Sequence, residues 1–334
     1  MEDWRSIRDR LGSWYQIAGT RHYSLTNGSS NGTRAIDVKT GGGLEYTVLP
    51  DRGLDISLAS FRGANIVYQG SCGEVNPAYY NPSGNEWLRM FYAGLLTTCG
   101  PSNIGQSCQD DGESLGLHGR FSSTPARNVC DLTDLDRNNA EIRITGEIDC
   151  SVMFGARIRI RRTISSKVDS NKIMIEDIIR NDAGKAVPFA MLYHINIGYP
   201  MLDDCIEIKV NSSTVDAYDE YSKEHLNLIN SFLKPDTNNR EKNYLHKFGN
   251  NLHRGRATVV NPKLGFGLYI EFDTNELKYM TQWKQEGIKD YVLGLEPCNA
   301  PCEKRSALRE KGLLQYLEPG EERTHKVEFG IINS

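Results

Sequence analysis

Three segments of the 334-residue chain place ionisable side chains among glycine or apolar neighbours. Glu296 follows an apolar run and precedes a proline, His194 stands within an apolar strand-like run, and His118 lies between Leu117 and Gly119. A carboxyl group against an apolar wall has a raised pKa, which suits it to act as a general base. The pKa of an imidazole is easily shifted through neutral pH by its surroundings. Taken alone, each of these residues more often has a structural role, so the pattern is compatible with acid and base chemistry without establishing it.

The elements that would position these residues are mainly strands. Short runs of alternating apolar and polar residues, bounded by Gly, Asn, Asp and Pro, are typical of half-buried strands. They cover residues 44–49, 55–61, 64–68, 141–148, 172–179, 187–197, 205–210, 266–272, 291–295 and 326–332. In the run 157–164 the arginines are expected on one side, solvated or paired with acids, and the isoleucines on the other.

Helical patterns are few and predict helices only at residues 4–11, 223–233 and 306–311. The polar stretch 234–256 is predicted to be a loop, and the glycine clusters at 28–32 and 41–43 are predicted turns. No strand-helix repeat or Gly-rich strand-to-helix turn is found, which argues against a doubly wound nucleotide-binding sheet.

Composition narrows the class of partner. With 39% hydrophobic and 25% charged residues the chain can form an ordinary core, and a net charge of −4 without a basic stripe argues against nucleic acid. No apolar run approaches the ~20 residues of a membrane span, and the charged N-terminus lacks a signal pattern. We therefore expect a cytoplasmic protein whose eight cysteines are reduced; Cys298 and Cys302 have no second pair to complete a zinc site.

Three short motifs carry a resemblance to a known family. Leu117-His118-Gly119, Tyr193-His194-Ile195-Asn196 and Leu295-Glu296-Pro297 resemble, in the same order, the two histidine segments and the carboxylate motif of aldose 1-epimerases, the galactose mutarotases. Residues 50–56, residues 94–100 and Trp283 resemble a branch of that superfamily described only as a domain of unknown function. The likeness runs from about Tyr46 to the C-terminus.

The resemblance implies an all-β fold, the β-supersandwich of galactose mutarotase, as a single domain over residues 1–334 with residues 1–40 as a lead-in. It implies interconversion of the anomers of a sugar or modified sugar, with no cofactor and no metal. Glu296 would be the base at the anomeric hydroxyl, His194 the acid at the ring oxygen, and His118 a hydrogen-bonding partner that polarises and orients the sugar.

Further sugar contacts are expected from guanidinium and amide groups, which satisfy hydroxyls, and from an indole that stacks on a pyranose. These candidates are Arg52, Arg120, Asn196, Trp283 and Asn299. The chain departs from the family at Arg120, where a second glycine is usual, and the family's sugar-binding aspartate is not located, with Asp219, Asp236 and Glu241 as candidates. The extra arginine leaves an acidic or modified sugar open.

Two other functions remain open at this stage. The first is a non-catalytic carbohydrate-binding protein that keeps the same sandwich. The second is a metal-assisted isomerase or lyase of an oxidised or acidic sugar, with a divalent ion held by His118, His194 and Glu296, since two histidines and a carboxylate suit such an ion. A homodimer is also left open.

Overall fold

The structure is a computed structural model that describes residues 4–136, 140–249 and 251–333. In these residues the helices are α1 (Trp4–Arg8), α2 (Glu220–Glu224) and α3 (Arg305–Glu310). The strands are β1 (Gly19–Ser24), β2 (Arg34–Lys39), β3 (Leu44–Leu49), β4 (Asp55–Phe61), β5 (Ala64–Asn65), β6 (Thr97–Cys99), β7 (Cys108–Asp110), β8 (Glu113–Leu115), β9 (Arg127–Asp131), β10 (Glu141–Ser151), β11 (Arg157–Lys167), β12 (Lys172–Asn181), β13 (Val187–Phe189), β14 (Leu192–Ile197), β15 (Glu207–Val210), β16 (Thr214–Ala217), β17 (Lys242–Lys247), β18 (Arg254–Asn261), β19 (Phe266–Asp273), β20 (Tyr279–Glu286), β21 (Tyr291–Cys298), β22 (Gln315–Leu317) and β23 (Glu322–Asn333).

Two large antiparallel sheets form the body of the molecule. One has eight strands in the order β15-β18-β19-β23-β12-β11-β10-β9, and the other has six in the order β16-β17-β20-β21-β14-β6. Strands β1 to β5 form a third sheet in sequence order, so the predicted lead-in contributes two paired strands, β1 and β2. The predicted all-β sandwich is confirmed. None of the helices within the described residues has the length and apolar character needed to cross a membrane.

The core lies between the large sheets because alternate side chains of facing strands point towards each other. Ile173 and Ile175 of β12 and Tyr193 and Ile195 of β14 belong to the same buried cluster. Residues of opposite parity on β14 therefore project from the other face of the six-stranded sheet. This face carries His194.

Most predicted strands are confirmed, and the differences have identifiable causes. The predicted helix at 223–233 is wrong beyond α2, because only a 3₁₀ turn, Leu226–Leu228, follows it. The buried Lys284 ammonium donates hydrogen bonds to the carbonyls of Leu228 and Ser231, each at 2.7 Å, so these carbonyls serve a lysine instead of a helix.

The predicted loop at 234–256 is also wrong in part, because it contains β17 and the start of β18. Lys242 at the start of β17 is fully buried and lies 2.6 Å from the carboxylate of Glu286 on β20. A strand whose buried position holds a paired lysine lacks the apolar alternation by which strands are recognised.

A third correction concerns Arg162 of β11, which the sequence pattern grouped with the other arginines of the run 157–164. Its side chain lies on the isoleucine face and is fully buried between the sheets. Its guanidinium donates to both carboxylate oxygens of Asp177 at 2.8 and 2.7 Å and to Asp55 at 2.6 Å. Asp55 also accepts from the hydroxyl of Thr98, and Asp177 from the hydroxyl of Tyr193. One buried cation thus ties the eight-stranded sheet to β4, β6 and β14.

Replacement of this cation should destabilise the fold strongly. Arg162→Met leaves two buried carboxylates without their partner, and we expect a loss of about 3–5 kcal/mol in the free energy of unfolding. Arg161→Met, at an exposed position of the same strand, is the matched control and should change it by no more than about 0.5 kcal/mol. Urea unfolding followed by circular dichroism measures both, and equal midpoints for the two variants would contradict the assigned role of Arg162.

Candidate active site

Strand register places the predicted acid and base side by side. On β14 and β21, Leu192 is opposite Cys298 and Asn196 is opposite Gly294, which sets His194 opposite Glu296 on the same face. Nε2 of His194 lies 3.3 Å from Oε1 of Glu296. The sheet itself therefore fixes this pair, without help from a loop.

The third predicted residue, His118, comes from an irregular loop. His118 adopts φ +57° and Gly119 φ +73°, and a Cβ on Gly119 would lie 2.7 Å from the carbonyl oxygens of Asn103 and Gly100. Only glycine fits that close approach, which explains a glycine directly after the histidine. The loop brings the His118 ring to a centroid distance of 5.9 Å from the His194 ring.

Hydrogen bonding fixes how His118 can act. Its Nδ1 lies 2.6 Å from the carbonyl oxygen of Ile104, which can only accept, so Nδ1 carries the proton. Removal from water lowers the pKa of His118 to about 4, so the ring is neutral near pH 7. In that state Nε2 is an acceptor, suited to a hydroxyl hydrogen.

The acid and base pair is deeply buried. The exposed fractions are 5% for His194 and 2% for Glu296. Burial raises the pKa of Glu296 well above its ordinary value, and the nearby negative charge of Glu241 adds to this. Burial, with a smaller effect from His118, lowers the pKa of His194. Burial therefore favours the uncharged form of both groups.

Aromatic rings surround the pair. The ring of Trp283, on β20, lies 5.5 Å from the His194 ring, and that of Phe91 lies 5.0 Å from it. Trp87 stacks on Phe91 at 4.6 Å and meets His118 edge-on at 4.6 Å. Apolar rings beside hydrogen-bonding groups are suited to a ligand with one apolar face and several polar edges, as a pyranose has.

Glu241 and Gly294 complete this surface. Glu241 accepts a hydrogen bond from the indole nitrogen of Trp283 at 3.1 Å, so a second carboxylate stands beside the site. Gly294 lies opposite Trp283, and a Cβ there would come within 2.3 Å of Oε1 of Glu296. Glycine at this position leaves the space that the Glu296 carboxyl group occupies.

The comparison with known proteins decides the family. The model of the family described as Domain of unknown function (DUF4432) matches residues 30–331. The chain belongs to this family. No curated protein sequence matches it.

Solved structures similar to this DUF4432 protein show its fold. A "putative aldose 1-epimerase" from Klebsiella pneumoniae superposes with a TM-score of 0.90 at 23% identity, covering 98% of this chain and 86% of the other. A galactose mutarotase-like protein from Clostridium acetobutylicum gives 0.65 at 14% identity, covering 96% and 100%. The galactose 1-epimerase from Lactobacillus acidophilus gives 0.59 at 12% identity, covering 95% and 99%. The predicted galactose mutarotase-type β-supersandwich is confirmed.

The five predicted sugar contacts of this DUF4432 protein divide into two groups. Trp283 lies at the site. Asn196 is two residues after His194 on β14 and therefore lies on the same face of the sheet. Its amide nitrogen donates to the carbonyl oxygens of Gly94 and His194. The buried Oδ1 of Asn196 has no hydrogen-bond partner among the described residues. These two residues can contribute to ligand contact.

The other three side chains do not join this group. The buried guanidinium of Arg52 donates to backbone carbonyls of Ser122, Val75 and Met90, so it holds the segment that carries Phe91. Asn299 is buried, and its Oδ1 accepts from the amide of Met191 at 2.7 Å.

Arg120 lies over the Tyr80 ring, 5.4 Å from its centroid, and lines a separate cavity of about 530 Å³. Sequence reasoning assigned these polar groups to a ligand because a pattern does not show which groups of the folded protein they meet.

The structure also locates the candidates for the sugar-binding acidic residue and the three residues considered as metal ligands. Asp219 caps α2, and Asp236 accepts from the amide of Asn238, which leaves Glu241 as the candidate at the site. A metal ion could be held by three or more His, Cys, Asp or Glu side chains whose potential metal-binding atoms all lie within 4.8 Å of one another. Among the described residues, only Asp203, Asp204 and Cys205 meet this condition. His118, His194 and Glu296 are therefore not arranged as a compact ligand set.

The electrostatics of the site can be tested directly. We expect the Glu296 carboxyl group to titrate above the ordinary value of about 4.3, because burial opposes its charge. Glu241→Gln removes a negative charge beside it and should lower that pKa. The ¹³C shifts of labelled glutamate side chains measure both, with Glu296→Gln for assignment and Glu207→Gln, on β15 of the other sheet, as control. Titration of Glu296 at the ordinary value would contradict the buried, unpaired environment.

Proposed function

We propose that this DUF4432 protein interconverts the anomers of a sugar or modified sugar by general acid and base catalysis. The observation that carries the proposal is the 3.3 Å approach of Nε2 of His194 to Oε1 of Glu296 beneath aromatic rings. An anomeric centre bears a hydroxyl and the ring oxygen on one carbon, so its opening needs a base and an acid that are themselves neighbours. The similar solved structures support a fold that suits this chemistry.

The proposed reaction begins with removal of the hydroxyl proton at C1 by Glu296. As that proton leaves, His194 gives a proton to the ring oxygen, the bond between C1 and the ring oxygen breaks, and a carbonyl forms at C1. Rotation about the bond between C1 and C2 and closure with the proton transfers reversed give the other anomer. Every proton removed is returned, so no redox step is required.

The proton content of the pair suits this sequence. Burial favours a protonated Glu296 beside a neutral His194, and this pair contains as many protons as a carboxylate beside an imidazolium. A bound sugar brings hydroxyl groups into the buried site, which favours the charged form, and the proton can pass over 3.3 Å from one residue to the other. His118, with Nε2 as acceptor, would orient a neighbouring hydroxyl.

The charges around the site favour an uncharged sugar over an acidic one. Arg120, which left an acidic sugar open in the sequence, lies over Tyr80 and lines another cavity. Arg52 is occupied by backbone carbonyls. Glu241, in contrast, adds a negative charge next to Trp283, which disfavours a carboxylate on the ligand.

Substitution of the base tests the proposal. Glu296→Gln keeps the shape of the side chain but removes the proton acceptor, and we expect the exchange rate to fall by about 10²–10⁴-fold while sugar binding survives. His194→Ala should reduce it similarly by removing the acid. Polarimetry and two-dimensional NMR exchange over a panel of neutral sugars and uronates measure the rate, with Glu207→Gln as control.

Two results would count against this function. Absence of accelerated exchange for every sugar in the panel, with binding retained, would favour a non-catalytic carbohydrate-binding protein. An exchange rate in Glu296→Gln equal to that of the unaltered protein would show that the chemistry lies elsewhere.

A further inference from the structure

The reacting atoms are enclosed. His194 and Glu296 are 5% and 2% exposed, and Oε1 of Glu296, which lies 3.3 Å from Nε2 of His194, is buried away from the surface. Burial of polar groups that make few hydrogen bonds costs free energy, so a ligand that brings hydroxyl groups to them would be favoured there. A sugar cannot exchange protons with groups that it does not touch.

Phe91 contributes most directly to this enclosure. Its ring lies 5.0 Å from the His194 ring, 6.3 Å from that of Trp283 and 4.6 Å from that of Trp87, on which it stacks. It therefore stands between the two tryptophans against the catalytic histidine. A pyranose in contact with both Trp283 and His194 would need space next to this ring, which lies close to both.

The segment that carries Phe91 is suited to movement of this side chain. It follows the 3₁₀ turn Glu86–Met90, which pairs with no strand of the described sheets, and Leu88 in the turn is 52% exposed. The backbone is held at Met90, whose carbonyl accepts from the buried Arg52 at 2.9 Å. The Phe91 ring can thus turn about its own side-chain bonds while the strands that hold His194 and Glu296 stay in place.

We infer that Phe91 is a gate residue, whose ring covers the acid and base pair at rest and must turn away before a sugar reaches them. The inference rests on the proposed function for the identity of the ligand, but closure itself is a property of the protein alone. Burial in the closed state also raises the pKa of Glu296, so covering the site favours the protonated form, which cannot act as a base. Access would then depend on the Phe91 contacts with Trp87, Trp283 and His194.

Labelling of histidines with diethylpyrocarbonate, which attacks neutral imidazole nitrogens, tests the gate without any sugar. Phe91→Ala should raise the labelling rate of His194 by about tenfold or more, as expected on loss of aromatic contacts and their buried area. Mass spectrometry resolves each histidine. The buried His246 and His325, far from the gate in sequence, report the intactness of the fold and should remain slow.

Leu88→Ala is the matched control, because it changes an exposed side chain on the same turn and should leave His194 labelling unchanged. Phe91→Leu, which keeps part of the apolar volume, should give an intermediate rate and covers the case in which Phe91→Ala unfolds. The gate is overturned if neither Phe91 variant labels His194 faster than the unaltered protein while His246 and His325 stay protected, or if all three buried histidines accelerate equally in both variants.

A second arm separates the gate from the proposed function. D-galactose and D-glucose are added to the Phe91→Ala protein, and protection of His194 from labelling is expected for a sugar that binds the site. Faster labelling of the variant without protection by either sugar would support the gate and count against these hexoses as ligands. Protection with equal labelling rates in the variant and the unaltered protein would support the site and contradict the gate.

Discussion

A single buried cation sets the relation between the sheets on which the site depends. Arg162 is fully buried and bonded to Asp177 of its own sheet and to Asp55 at the start of β4. Removing a guanidinium from water is costly, and only a complete set of acceptors makes its burial tolerable. This set of acceptors is complete in only one register of the strands, so the charge cluster favours that register over shifted ones. Isoleucines do not discriminate in this way, because one can take the place of another.

The cluster lies directly behind β14, the strand that carries His194. Tyr193, whose hydroxyl donates to Asp177, is the neighbour of His194 and points to the opposite face. Thr98, which donates to Asp55, is opposite Tyr193 on β6. The strand that presents His194 is therefore fixed from the core side by hydrogen bonds to charged groups, which are shorter and stronger than neutral ones. On the ligand side, His194 meets the ring of Phe91, which we infer can turn away. The strand is thus fixed on its core side and has an adjustable neighbour on its ligand side. This arrangement suits a site in which the proposed acid and base keep their positions while a ligand binds and leaves.

Local motifs explain why part of the site could be predicted from the sequence. The glycine after His118 is required by a positive φ and a close backbone approach, so the pattern Leu-His-Gly has a local physical cause. Glu296 and His194 lie on adjacent strands, and their pairing follows from register. The confirmed sandwich likewise follows from alternation in strands such as β10 and β12, where isoleucines mark one face.

What the sequence did not reveal depends on contacts between distant segments. Phe91 lies in an irregular segment. In such a segment the sequence does not distinguish an aromatic residue that covers a site from one that packs in the core. Arg162 and Lys242 were misplaced because a charged residue predicts exposure, whereas their partners, Asp177 and Glu286, come from other strands. Arg52 was taken for a ligand contact because the carbonyls that it meets lie 23 to 70 residues away along the chain.

The proposed function requires that the anomeric centre of a sugar binds against the adjacent side chains of His194 and Glu296. A crystal structure of the Glu296→Gln protein soaked with a sugar that slows the labelling of His194 tests this most directly. The account predicts the C1 oxygen within hydrogen-bond distance of the residue 296 side chain, the ring oxygen within the same distance of His194, and the Phe91 ring turned away. A sugar seated instead in the cavity beside Arg120, with His194 and residue 296 untouched, would contradict it.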